Sequence, residues 1–204
     1  MTCVTNSKPL IHGYARINVG CDMTKKANAR IDSQVVELAG RSWLIAQLLQ
    51  AGLEIARPER DRGIDLIAYL DLDESVADFI ACPIQVKAAS TSMFGLDPKY
   101  EKFPRMLLAY VWNVGDSTQT TAYALTYQEA LGVADKMGWT KTDSWITGGK
   151  HQRRGYTVTS VGEKSKLRSL LEDHRMTPEK WKTKVIEVCH HPRKPFSGRA
   201  ATRF

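Results

Sequence analysis

The sequence has few cysteines, no long apolar run and no internal repeat. Its four cysteines, Cys3, Cys21, Cys82 and Cys189, are scattered through 204 residues and form no C-x-x-C pair. That argues against a zinc ribbon or a disulfide scaffold and suits a reducing compartment. His190-His191 beside Cys189 has no second ligand cluster at metal-binding spacing, so it reads as a polar tail. No apolar stretch approaches the roughly 18 residues that a membrane span needs. The first 30 residues lack the basic-then-apolar order of a signal peptide, so a cytoplasmic protein without a membrane partner is expected. Gly148-Gly149-Lys150 lacks the spacing of a phosphate-binding P-loop.

What is present is the composition of an ordinary globular domain, 43% hydrophobic and 25% charged, with a net charge of +7. A chain of this length can bury a single core without metal or disulfide staples. The charge is unevenly placed. Residues 150–204 hold 14 of the 29 Lys and Arg but only 5 of the 22 Asp and Glu. A basic end on a near-neutral body fits a polyanionic partner such as nucleic acid, and equally a solvated basic face.

Hydrophobic spacing divides the chain into elements. Residues 1–30 have weak periodicity and read as an irregular arm. From Ser33 to Gln50, apolar residues cover most of a helical wheel and leave a narrow polar stripe of Gln34, Glu37 and Arg41, as in a packed helix. Three strands are expected next, over 53–57, 63–72 and 79–88, the last two forming an antiparallel hairpin through 71–78. Pro83 suggests a bulge, since proline cannot donate to a ladder. After a polar loop, 89–105, the run Met106–Val114 reads as a strand buried on both faces. A short strand, 122–125, leads into a helix to about Met137, opened by the capping box Thr126-x-x-Glu129. Residues 138–155 read as loop, 156–159 as a strand and 164–173 as a helix. A last helix starts at Thr177-Pro178-Glu179, and 190–204 reads as disordered. The order predicts a mixed α/β sheet.

The stretch that suggests chemistry is Gly63-Ile64-Asp65, followed by Gln85-Val86-Lys87. Gln85 and Lys87 stand two apart on one strand and therefore share a face. If the hairpin forms, an acid, an amide carbonyl and an ammonium group converge. A Mg²⁺ site needs hard oxygen ligands, and phosphodiester hydrolysis also needs a cation to orient water and offset charge at phosphorus. Taken singly, Asp65 reads first as a strand-edge acid paired with Arg62 or Arg60, and Lys87 as a surface lysine. Glu37 is placed i,i+4 from Arg41, as in a helix-surface ion pair.

Together, Glu37, the G-I-D motif and the Q-V-K motif resemble the PD-(D/E)xK nuclease superfamily, which includes many restriction enzymes and Holliday-junction resolvases. The G-I-D with Q-x-K variant looks most like the branch of methylated-DNA restriction endonucleases. The resemblance spans roughly residues 33–135. It implies a restriction-endonuclease-like mixed central sheet flanked by helices, over residues 31–175, with residues 176–204 as a basic C-terminal helix and tail. It also implies Mg²⁺, or Mn²⁺ as a substitute, held by Glu37, Asp65 and Gln85. Lys87 then serves the attacking water, and the implied activity is endonucleolytic hydrolysis, most naturally of DNA. Gln85 departs from the pattern: a neutral amide replaces the second carboxylate, so a catalytically inactive nucleic-acid-binding or regulatory protein on the same fold stays open. Phosphate contacts are expected from Lys99 and Arg105 before the buried strand, and from Lys180, Lys182, Lys184, Arg193 and Lys194. Trp139 and Trp145 read as base-stacking residues or as anchors of their loop. A homodimer is one way to cut both strands of a duplex.

Overall fold

The structure is a computed structural model that describes residues 32–60, 62–70, 79–157 and 163–189. Elements α1 (Ser33–Gln50), β1 (Glu54–Ala56), β2 (Leu66–Tyr69) and β3 (Ala81–Ala88) come first, followed by β4 (Gly95–Leu96), β5 (Leu107–Trp112) and β6 (Thr121–Leu125). Next are α2 (Tyr127–Lys136), α3 (Asp143–Ile146), β7 (Tyr156–Thr157), α4 (Glu163–Leu171), β8 (Arg175–Met176) and α5 (Pro178–Cys189). Six strands form one sheet in the order β1-β2-β3-β5-β6-β8, and β4 pairs with β7 in a separate ribbon. Only β3 and β5 run parallel within the large sheet; its other neighbours are antiparallel. This is a mixed central sheet with helices on both faces. No helix among the described residues is long and apolar enough to cross a membrane.

β5 explains the layering. Every residue from Leu107 to Trp112 is buried, with successive side chains feeding opposite faces. Leu107, Ala109 and Val111 join the core under α1 and α5, while Leu108, Tyr110 and Trp112 join the core under α2 and α4. Full burial of such side chains contributes about 1.5–3 kcal/mol each. The two polar tips are satisfied: Tyr110 Oη donates to the Gly95 carbonyl at 2.9 Å, and Trp112 Nε1 to the Met93 carbonyl at 2.6 Å. These bonds fasten the β4 segment onto the sheet, so the 89–105 stretch expected as loop holds an ordered strand.

Two further expectations are corrected. Pro83 makes no bulge: β2 and β3 pair in unbroken register, Ile67 opposite Pro83 and Leu66 opposite Ile84. The pairing with β2 is continuous through Pro83, and the β5 ladder starts only at Ile84. Proline therefore falls where no donor is required. α1, in turn, is not packed over most of its circumference. It buries a single i,i+4 face of Val36, Gly40, Leu44 and Leu48, and leaves Val35, Leu38 and Leu49 at least half exposed. Thr126 and Glu129 do form the reciprocal capping box at the start of α2. The 1–30 arm, the 71–78 turn and the 190–204 tail lie outside the described residues, as does the end of the 156–159 strand.

Candidate active site

Asp65 precedes β2, and the backbone turns into it through Gly63 at φ +93°, a conformation that suits glycine. Its amide donates to the Ile84 carbonyl at 2.9 Å, which sets it beside β3. One step further, the Val86 N–H donates to Asp65 Oδ2 at 2.6 Å, beyond the point where the β2–β3 register begins at Leu66 and Ile84. The same oxygen accepts from Gln85 Nε2 at 2.5 Å, and that amide nitrogen also lies 3.3 Å from the Val86 carbonyl. The carboxylate thus closes the open edge of β3 and is aimed by it. Charge-assisted bonds of this kind are shorter and stronger than neutral ones.

Gln85 and Lys87 project to the α2 and α4 side of the sheet, alternating with buried Ile84 and Val86. Glu37 stands on the first turns of α1, which packs on the other face of the sheet, and lines the cavity from there. It is 59% exposed and hydrogen-bonded by Arg41. Glu37, Asp65, Gln85 and Lys87 all line one cavity of about 420 Å³, whose wall includes Ser33, Gly95 and Thr157. Burial pushes the Lys87 ammonium below its ordinary pKa; neighbouring Lys99 adds to this, and Asp97 and Asp65 oppose it.

A second cavity of about 630 Å³ adjoins the first and shares Lys87, Gly95 and Thr157 with it. Here two ammonium groups stand over the Tyr100 ring, Lys87 Nζ at 5.1 Å and Lys99 Nζ at 4.8 Å from its centre. Asp97 accepts from the Lys99 N–H at 3.0 Å and from Arg153 Nη2 at 2.9 Å. These bonds hold its carboxyl below the usual range even though burial works in the opposite direction. Arg153 and Asp97 are 56 positions apart, and no sequence signal links them. The nearest hint is the cluster of basic residues and glycines between 148 and 155.

The other expected phosphate contacts are distributed differently. Lys99 stands at the rim just described. Arg105 lies at the opposite end of β5, where its carbonyl accepts from the thiols of Cys82 and Cys189. Lys184 is committed to Glu129 at 2.7 Å and is only 16% exposed. Lys180 is exposed, with its ammonium 3.3 Å from the Arg175 carbonyl, and Lys182 is half-buried on the same helix. α5 packs its Trp181 and Val185 into the core under α1, on the face away from Lys87. Arg193 and Lys194 lie outside the described residues. Trp139 is buried, donates to Glu163 at 3.1 Å and stacks on Tyr156 at 4.5 Å, so it anchors its loop. Trp145 is buried beside it in the same core.

Among the described residues no group of three or more His, Cys, Asp and Glu side chains is placed to hold a metal ion. A divalent ion at the first cavity would rest on the carboxylates of Glu37 and Asp65, the Val86 carbonyl and waters, with the Gln85 oxygen joining once its amide, here donating to Asp65, turns over. That all-oxygen set fits Mg²⁺, which is commonly held by one or two carboxylates and keeps several waters.

No family model and no curated protein matches the sequence. Among solved structures, that of Hjc, a Holliday junction resolvase from the archaeal hyperthermophile Archaeoglobus fulgidus, overlaps 68% of this chain and 96% of its own at 10% identity. The TM-score is 0.37.

Proposed function

We propose that the protein is a divalent-metal-dependent hydrolase of phosphodiester bonds in DNA, an endonuclease of the PD-(D/E)xK type. The observation that supports this reading is the meeting of Glu37, Asp65, Gln85 and Lys87 at one cavity, beside a rim formed by Lys99 and Arg153. Asp65, fixed by the Val86 N–H and Gln85, and Glu37 are the residues that would hold Mg²⁺ or Mn²⁺. When bound, such an ion supplies Lewis acidity, acidifying water and offsetting charge at phosphorus. Lys87, its ammonium disfavoured by burial, is suited to exchange a proton with the attacking water and to balance the charge that builds on the phosphate. Water adds to phosphorus, a P–O ester bond breaks, and the products are a phosphomonoester end and a hydroxyl end.

The test is cleavage of plasmid, branched and single-stranded DNA, and of RNA, with Mg²⁺ or Mn²⁺. Lys87→Ala is expected to lower the rate by about 10²–10⁴-fold, the usual contribution of a positioned proton-transfer group, and Asp65→Asn to abolish the metal-dependent part of the rate by removing a metal-holding carboxylate. Absence of cleavage in the wild type on every substrate with either ion would overturn the proposal. The second reading, a nucleic-acid-binding protein without catalysis, is favoured by the neutral Gln85 in hydrogen bond with Asp65. It predicts salt-dependent binding with no cleavage.

A further inference from the structure

The cavity next to the candidate active site has a charge pattern of its own. Its lining carries four cations, Lys87, Lys99, Arg153 and Arg154, against the single carboxylate of Asp97. That carboxylate pairs with Arg153 and, at 3.5 Å, with the Lys99 ammonium, and accepts from the Lys99 N–H, so it fixes the cations in place while leaving a surplus of positive charge. Arg154 is held from behind by its Nε donating to the Trp145 carbonyl at 3.0 Å. Arg154 makes no other hydrogen bond to the described residues, so its two terminal nitrogens remain available to an acceptor in the cleft. Arg153 is 73% exposed at its side chain.

The aromatic floor limits what can bind. Tyr100 is only 4% exposed, and ammonium groups stand 5.1 and 4.8 Å from its ring centre. A base cannot stack on a ring so covered, whereas a phosphate complements every cation that surrounds it. The two arginines sit on the loop leading into β7, whose pairing with β4 is fixed in register, Gly95 to Thr157 and Leu96 to Tyr156. The site is therefore carried by an ordered ribbon joined to the sheet through Tyr110 and Trp112.

From this arrangement we infer that the cleft seats the backbone phosphate next to the scissile one, and that nucleic acid is gripped by Arg153, Arg154 and Lys99 of this ribbon and turn rather than by the lysines of α5. Lys87 faces both cavities and links the two phosphates. The inference rests on the hydrolase reading for what occupies the first cavity, but its own test needs no catalysis.

That test is binding of a fluorescein-labelled DNA duplex in EDTA, followed by anisotropy across a range of salt concentrations. Every phosphate that the protein no longer neutralises flattens the slope of log K against log salt by about 0.9. The double variant Arg153→Gln/Arg154→Gln is expected to bind more weakly, with a slope shallower by about 0.9, the loss of the one phosphate they seat together. Arg153→Lys/Arg154→Lys, which keeps the charge, is expected to retain a slope near that of the wild type. Lys180→Gln/Lys182→Gln is expected to match the wild type. Thermal melting of each variant separates removal of charge from failure to fold, because the lysine variant disturbs the same Asp97 and Trp145 geometry. A wild-type slope in the glutamine variant, an equally flattened slope in the lysine variant, or the flattening appearing in the α5 variant instead, overturns the inference and leaves the hydrolase reading standing. No salt-dependent binding by the wild type overturns both.

Discussion

Gly40 is where the helix that carries Glu37 touches the strand that carries Lys87. It lies on the buried face of α1, and a Cβ added there would meet Ala88 Cβ at 2.5 Å and Val114 Cγ2 at 3.1 Å. Carbon atoms rest about 3.5–4.0 Å apart, so Gly40→Ala must lift α1 off the sheet by roughly 1 Å. Overpacking of that order costs about 1–3 kcal/mol and opposes a gain in helix propensity of about 1 kcal/mol. Gly132→Ala provides the reference, because Gly132 is exposed on α2 with nothing within 4 Å of an added Cβ. It takes only the propensity gain. At roughly 2–4 °C per kcal/mol for a chain of this size, the two variants should melt about 2–12 °C apart, Gly40→Ala the lower. Because Glu37 sits one turn earlier on the same helix, metal-dependent cleavage should fall in Gly40→Ala and hold in Gly132→Ala. If Gly40→Ala melts with or above Gly132→Ala, the close docking of α1 on β3 is wrong.

The ion pair of Lys184 with Glu129 gives a pH signature. Burial alone would raise the Glu129 carboxyl, but the hydrogen bonds from Lys184 and the Thr126 amide hold it below its ordinary value. A carboxyl depressed on folding contributes stability that is fully present above its unfolded pKa, about 4.3, and lost as pH falls through the folded value. The melting-temperature gap between wild type and Glu129→Gln should therefore be constant near neutrality and close in the acid range; a gap independent of pH refutes it. The two described thiols should differ in reactivity: the neighbouring Cys189 thiol and then burial push Cys82 far up, while the Cys82 thiol lowers Cys189. Iodoacetamide labelling of native protein, mapped by peptide mass, should find Cys189 modified well before Cys82, since the thiolate is the nucleophile; equal rates contradict it. Gly63→Ala has room, its added Cβ lying 3.8 Å from Gln85 Oε1, but φ +93° strains any side-chain-bearing residue. A loss of about 1–2 kcal/mol is expected by urea denaturation, together with reduced cleavage as Asp65 shifts.

Local chemistry is legible in the sequence. The Thr126-x-x-Glu129 signature carries its own hydrogen-bonding logic, and the unbroken apolarity of Leu107–Trp112 requires burial on both faces. The G-I-D and Q-V-K motifs are readable as a converging set because period-2 alternation puts Gln85 and Lys87 on one face. Contacts between distant segments are not legible. Nothing in residues 89–105 announces that Gly95–Leu96 pairs with Tyr156–Thr157, because the strand is two residues long and is held by side chains of β5. Asp97 and Arg153 look like ordinary surface charges until that ribbon joins them. On α1, the apolar character of Val35, Leu38 and Leu49 suggests burial, yet a helix lying on one sheet face covers only a single stripe. For Lys184, the charge of the basic segment does not reveal that this lysine is spent on a half-buried carboxylate.

A divalent ion held where Asp65 meets Glu37 and Gln85 is the centre of the proposed chemistry. A crystal soaked in Mn²⁺ and measured for anomalous scattering tests it directly. The expected result is a peak in the cavity about 2.1 Å from an Asp65 oxygen, with further oxygen ligands from Glu37 or Gln85, and its loss in Asp65→Asn. A cavity without a peak at saturating Mn²⁺, or a peak only elsewhere on the molecule, contradicts it.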